Sequence, residues 1–152
     1  MKIVIPGVST LNLKHVFIDY NGTIAHSGIL ISGIIDQLIA LSEFYNIYVL
    51  TGDTYGTVTE YLKPYPVEVI LAYTAEDKYR VIKNHVSDTC ITIGNGSIDY
   101  KMLKEAALGI AVVGKEGCST KAILNADIVV HHIDDALTIV KHPNQIIATL
   151  KE

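Results

Sequence analysis

The sequence predicts an α/β fold: one Rossmann-like, doubly wound domain around a mostly parallel sheet. Two observations carry this. Short β-branched runs alternate with stretches whose apolar residues recur every three or four positions, the pattern of strands joined by crossover helices. Several of the runs are also apolar throughout, as strands covered on both faces must be. A length of 152 residues, 49% hydrophobic and 18% charged, suits a substantial core rather than a disordered chain.

The elements follow in order. Lys2–Ile5 reads as a strand, Pro6-Gly7 as a turn and residues 11–13 as an antiparallel return, an N-terminal β-hairpin ahead of the main strand at 16–19. Ile34, Leu38, Leu41 and Tyr45 share one helical face, widened by Ile35 and Ile39. Asn46 punctuates, and 47–50 is the next apolar strand. A helix over Thr57–Leu62 stops before Pro64 and Pro66, and 67–71 is the third strand. Residues 75–85 read as a helix, 89–93 as a strand and 100–107 as a helix. The alternation continues through 110–113, 121–125, Ile128–Val130 and 135–140, and 146–150 forms a terminal helix. The expected division is a hairpin over 1–15, a core over 16–142 and a C-terminal helix over 143–152, all one domain. No repeat, low-complexity tract or linker interrupts it.

Charge and composition narrow the partners. The net charge is −4 with no Lys/Arg cluster, so no nucleic-acid footprint is expected, and the nine tyrosines serve packing and surface. No apolar run reaches the length of a membrane span. Residues 1–6 lack a signal-peptide pattern, and two unpaired-looking cysteines, Cys90 and Cys118, suit a reducing compartment. The expected location is the cytoplasm.

Four segments carry candidate chemistry. Val16-Phe17-Ile18-Asp19-Tyr20-Asn21-Gly22-Thr23 ends an apolar strand on Asp19, and open α/β sheets bind ligands at the carboxyl ends of their strands. Leu50-Thr51-Gly52-Asp53-Thr54 offers a hydroxyl and a backbone N–H after the next strand, or a plain turn with Asp53 as a helix N-cap. Lys78 sits in the N-terminal half of a helix, where a cation can face a phosphoryl group. Gly94-Asn95-Gly96-Ser97-Ile98-Asp99 reads as a Gly/Asn turn with Asp99 near a helix start.

As an ordered set these segments resemble the motifs of the haloacid dehalogenase superfamily of aspartate-nucleophile phosphotransferases. The stretch from Asp99-Tyr100-Lys101-Met102-Leu103 to Leu108-Gly109-Ile110-Ala111-Val112, then Ala126-Asp127-Ile128-Val129-Val130, is similar to the phosphorylation domain of P-type ATPases and to small soluble proteins named after it. The resemblance spans roughly residues 16 to 141. It implies Asp19 as nucleophile, Thr51, Gly52 and Lys78 as phosphate ligands, and Mg²⁺ held by Asp19, Asp99, Asn95 and the Asn21 carbonyl. The expected substrate is a small phosphorylated molecule or a phosphoprotein.

Two amides depart from the pattern. Asn21 stands where most such phosphatases carry the acid/base Asp, and Asn95 replaces the first of two metal-binding acids. An amide cannot shuttle a proton, so turnover is expected to be slow, or the aspartyl-phosphate long-lived. The alternative is a non-catalytic or single-turnover phosphate-responsive binding module. No cap domain is expected. Residues 24–33 leave room for a flap hairpin, whose apolar residues, like those of the N-terminal hairpin, are candidates for a homo-oligomer interface. Ion pumping is excluded for want of membrane helices. His131-His132 reads as a strand end and Gly114-Lys115-Glu116-Gly117 as a plain loop, neither matching a metal or P-loop spacing.

Overall fold

A computed structural model describes residues 1–53 and 55–152. The hairpin pairs β1 (Lys2–Ile5) with β2 (Ser9–Asn12), antiparallel. The central sheet is built on β3 (His15–Asp19), flanked by β6 (Asn46–Thr51) and β8 (Cys90–Gly94). It extends to β7 (Glu68–Leu71) on one side, and to β9 (Leu108–Val112) and β10 (Ile128–Val130) on the other, with every pairing parallel. Between β3 and the first helix, β4 (Ala25–His26) and β5 (Ile29–Leu30) form the expected flap, antiparallel. No separate cap domain occurs among the described residues.

The helices divide between the two faces. On one, α1 (Ile34–Ser42), α6 (Ile133–Lys141) and α7 (Pro143–Leu150) join the hairpin over a large core containing Ile3, Val16, Ile18, Leu38, Leu137 and Ile146. The opposite face holds a smaller cluster of Phe17, Tyr48, Leu50, Ile82, Cys90 and Met102, covered by α3 (Ala75–Asn84) and α4 (Tyr100–Glu105). Along β3 the alternation of Val16 and Ile18 against Phe17 is therefore a division between two apolar layers, not between core and solvent. Phe17 stacks on Tyr48 with ring centroids 4.5 Å apart. Two short helices complete the fold: α2 (Thr57–Leu62) before β7 and α5 (Thr120–Ile123) before β10.

Sequence periodicity finds every strand of the large sheet. Its strand edges move by at most two residues where strand pairing, invisible to periodicity, sets the limit. β9 starts at Leu108 rather than at 110, because Leu108 and Gly109 already pair with Ile91 and Thr92. α6 starts at Ile133, so His131 and His132 lie in the turn after β10, both exposed. No helix among the described residues is long and apolar enough to cross a membrane.

Gly109 fixes the approach of α4 to the sheet. A Cβ there would lie 2.2 Å from the Leu103 carbonyl oxygen, a backbone atom that cannot swing aside. Gly109→Ala is expected to destabilise the protein by about 3 kcal/mol or more in chemical denaturation. Gly28→Ala, at a positive φ but in open space, is expected to cost only about 1 kcal/mol.

Candidate active site

The carboxyl ends of β3, β6 and β8 deliver three of the four segments to one place. Asp19 is the last residue of β3, level with Leu50 of β6, so Thr51 stands one residue beyond it. Asp19, Asn21, Thr51, Gly52, Lys78, Asn95 and Asp99 all border one cleft of about 370 Å³. Every site residue expected from the sequence is therefore brought together; Thr54, which closes the second segment, lies outside the described residues. Tyr73, which no sequence signal marked, and Ile98 form part of the same wall.

Lys78 comes from α3, whose start is fixed by a capping box. The Thr74 hydroxyl oxygen accepts from the Asp77 N–H at 3.1 Å, and Asp77 Oδ2 accepts from the Thr74 N–H at 2.9 Å and the Tyr73 N–H at 3.0 Å. Helical side chains lean toward the N-terminus, which directs Lys78 back to the sheet. Its ammonium, 1% exposed, lies 2.6 Å from Asp19 Oδ1 and 2.6 Å from Asp99 Oδ1. Lys83, the rival lysine on the same helix, is exposed and pairs with Glu105 instead.

Asp99 is held from its other side. Its Oδ2 accepts from the backbone N–H groups of Gly96 at 2.7 Å and Asn95 at 3.0 Å. Gly94 makes this possible, since a Cβ there would sit 2.6 Å from that same oxygen. The segment that reads as a Gly/Asn turn is thus a backbone cradle for a carboxylate.

Thr23 closes the constellation. Its hydroxyl is 3.1 Å from Asp19 Oδ2 and 3.2 Å from Asn95 Oδ1, while Asn95 Nδ2 donates to the Gly117 carbonyl at 3.1 Å. The sequence assigned Thr23 no role, although it closes the first candidate segment; its signal was a hydroxyl one position past the turn glycine. Asp53 has a structural task. Gly56 occupies the N-cap position of α2, but the Asp53 carboxylate accepts from the Val58 and Thr59 N–H groups at 3.1 and 3.0 Å. Burial opposes its charge, yet hydrogen bonds from Thr59 and Val58 hold its pKa below the usual value.

The electrostatics follow from two carboxylates sharing one ammonium. Burial, and then the Asp99 carboxylate, push the Asp19 pKa up to about 6, against the pull of Lys78 and Thr23. Burial also opposes the charge on Lys78, but the carboxylates of Asp19 and Asp99 prevail and raise its pKa. With both acids ionised the triad carries one uncompensated negative charge. The four residues expected to offer oxygens to a metal, Asp19, Asp99, Asn95 and Asn21, all border this one cleft. Such a hard, anionic set fits a divalent cation of the Mg²⁺ type.

A raised carboxyl pKa binds its proton better in the folded chain than in the unfolded one. Its cost to stability is therefore absent below pH 4 and complete above about pH 6. Metal-free protein is expected to gain up to about 3 kcal/mol of unfolding free energy between pH 7 and pH 4 from this group. Asp19→Asn is expected to flatten that rise in denaturant titrations. Lys78→Met, which strands two facing carboxylates, is expected to cost about 3–5 kcal/mol at pH 7 and less at pH 5.

No family model matches the chain. The uncharacterized protein MJ0073 of Methanocaldococcus jannaschii is 44% identical over 70 residues, which are 46% of this chain and 75% of that protein. Among solved structures, 3-deoxy-D-manno-octulosonate 8-phosphate phosphatase from Moraxella catarrhalis, in complex with magnesium, phosphate and its sugar acid, superposes with a TM-score of 0.66. Its identity is 17%, covering 92% of this chain and 94% of that one. The catalytic domain of the CPx-ATPase CopB-B gives a TM-score of 0.62 at 26% identity, over 75% of this chain and 46% of that one. By sequence the chain belongs to the family of the Methanocaldococcus protein, and its fold is the one found in haloacid dehalogenase hydrolases and in the P-type ATPase catalytic domain, with no cap domain among the described residues.

Proposed function

We propose that the chain is a divalent-cation-dependent phosphohydrolase or phosphotransferase working through an aspartyl-phosphate on Asp19. The observation that carries the reading is the buried Asp19–Lys78–Asp99 triad, with both contacts at 2.6 Å, at the head of a cleft bordered by Thr51 and Gly52. A hydrolase needs a carboxylate at the carboxyl end of a central strand, a cation beside it, and donors for the phosphoryl oxygens. All three are present. The likeness in fold to a phosphatase and to an ATPase catalytic domain supports the same reading.

An Asp19 carboxylate oxygen forms a bond to phosphorus in line with the leaving oxygen, whose bond to phosphorus breaks. Thr51 and the Gly52 N–H donate to the equatorial oxygens, and Lys78 balances their charge. Water then attacks the acyl phosphate, inorganic phosphate departs, and Asp19 returns as a carboxylate. Mg²⁺, held by Asp19, Asp99, Asn95 and the Asn21 carbonyl, would neutralise charge on the transferred group.

Asn21 is exposed at the cleft, and its amide can donate to the leaving oxygen but cannot protonate it. The reading therefore favours phosphoanhydrides, acyl phosphates and other good leaving groups over alkyl esters. It also leaves open a second use, a slowly released phosphoryl group that marks the chain for a partner.

Intact-mass spectrometry after incubation with acetyl phosphate and Mg²⁺ tests the reading. One phosphoryl adduct, absent from Asp19→Asn, is expected; an adduct that survives in Asp19→Asn, or neither adduct nor phosphate release from the native chain, overturns it. Asn21→Asp is expected to raise steady-state hydrolysis of an alkyl phosphate by about 10²–10⁴-fold, the usual value of a general acid–base group. The adduct lifetime separates turnover from a single-turnover switch.

A further inference from the structure

Two exposed apolar side chains stand beside the triad and take no part in the chemistry proposed for it. Tyr73 and Ile98 border the same cleft as Asp19, Lys78 and Asp99. Tyr73 is 56% exposed and Ile98 42%, although their chain neighbours Ala72 and Asp99 are buried. Tyr73 immediately precedes the N-cap of α3, and its N–H donates to Asp77 Oδ2 at 3.0 Å. Its ring lies against Gly52: a Cβ on that glycine would meet ring carbons Cδ1 and Cε1 at 3.3 and 3.7 Å. Ile98 sits in the single 3₁₀ turn over Ser97–Asp99, directly before the carboxylate held by the Asn95 and Gly96 N–H groups. The contacts that fix the triad therefore also fix an aromatic ring and a branched aliphatic group at its edge.

Charge limits what else the cleft can hold. Among the described residues that border it, only Asp19, Lys78 and Asp99 are charged, and the one ammonium is shared between the two carboxylates. A divalent cation would leave one net positive charge, suited to a single phosphoryl group and not to a second phosphate or a carboxylate. Asn21, exposed on the wall, has no proton to give, so the leaving oxygen departs as an anion. A phenol ionises near pH 10, whereas a water-like hydroxyl does so at about 15.7. An aryl oxygen therefore leaves without a general acid where an alkyl oxygen does not. A phosphoanhydride leaves as readily but brings a second phosphate, and an aliphatic acyl phosphate brings no ring to meet Tyr73.

We infer, on the footing of the aspartyl-phosphate function proposed above, that the phosphoryl donor is an aryl phosphate monoester whose ring packs on Tyr73 and Ile98. An Asp19 oxygen forms the new bond to phosphorus, the bond from phosphorus to the aryl oxygen breaks, and its electron pair leaves on a phenolate. The Asn21 amide donates a hydrogen bond to that oxygen, and the phenolate takes its proton from bulk water after release. Ring-on-ring contact and the apolar area it covers favour such a donor by about tenfold in affinity over one with no ring.

Isothermal titration with phenylphosphonate against methylphosphonate, both with Mg²⁺, tests the ring's contribution without turnover, because a carbon–phosphorus bond offers no leaving oxygen. Phenylphosphonate is expected to bind about tenfold more tightly, Tyr73→Phe to keep that preference, and Tyr73→Ala to cut it to about threefold or less. Equal binding of the two phosphonates, binding of neither, or a preference that Tyr73→Ala leaves intact overturns the proposal, even where acetyl phosphate still gives the Asp19 adduct. Absence of that adduct overturns instead the function beneath it, whatever the phosphonates do. In steady-state hydrolysis phenyl phosphate is expected to outpace phosphoserine by about 10²-fold or more, the value of the missing general acid. A phosphotyrosyl peptide that matches phenyl phosphate identifies a protein side chain as the source of the ring, and one far slower a free aryl phosphate; both uphold the class. Phosphoserine that keeps pace with phenyl phosphate overturns it.

Discussion

The ammonium of Lys78 between the carboxylates of Asp19 and Asp99 is the contact on which the rest of this site depends. Each partner is carried by a different element: the central strand, a crossover helix and the loop after the neighbouring strand. Buried charge is tolerated only when it is paired and hydrogen-bonded, and the surrounding architecture supplies both conditions. The Thr74–Asp77 box sets the phase of α3, and the Asn95 and Gly96 N–H groups hold the far oxygen of Asp99. Two of the three charges cancel, and the third makes the cleft a place where a cation is welcome and a lone proton is retained. An arrangement that is awkward for stability is thus the one on which the proposed phosphoryl chemistry rests.

Much of the fold was legible because burial on both faces of a parallel sheet leaves continuous apolar runs. The helices between them retain a 3.6-residue stripe. Val16 to Asp19 could be read as a central strand before any pairing was known, and Thr57–Leu62 was bounded by its prolines. The site was legible for the same topological reason: residues just past strand ends converge, so Asp19, Thr51 and Asp99 meet although they are distant in the chain. What periodicity cannot express is direct approach. That Gly94 must lack a Cβ for Asp99 to reach its backbone cradle is a fact of distances, as is the service of Thr23 to two partners. Asp53 shows the converse case. Its reading as a helix cap needed only local chemistry, and its carboxylate accepts from the Val58 and Thr59 N–H groups in the first turn of α2.

Set side by side, the two amides at the cleft have unequal situations. Asn95 is built in, its side chain shared between Thr23 and the Gly117 carbonyl. Asn21 is exposed on the cleft wall. Replacing the first disturbs a network that also reaches the flap through the Gly114–Gly117 loop, whereas replacing the second changes only an exposed group on the cleft wall. Under the proposed function, proton transfer is therefore the more easily altered property, and metal affinity the more deeply embedded one.

The strand order carries a consequence for how the chain assembles. β3 is made early, but its two neighbours arrive at different times, β6 soon afterwards and β8 only after both β7 and α3. During synthesis the β3–β6–β7 half-sheet can form while one edge of β3 still lacks a partner, the condition that invites pairing with another chain. Asp19 is already present in that half-sheet, yet neither Lys78 nor Asp99 has closed around it, so it behaves as an ordinary surface carboxylate. The docking of β8 covers the open edge and brings Asp99 to the ammonium in the same event, so the step that ends the nascent chain's exposure to misassembly also completes the buried triad.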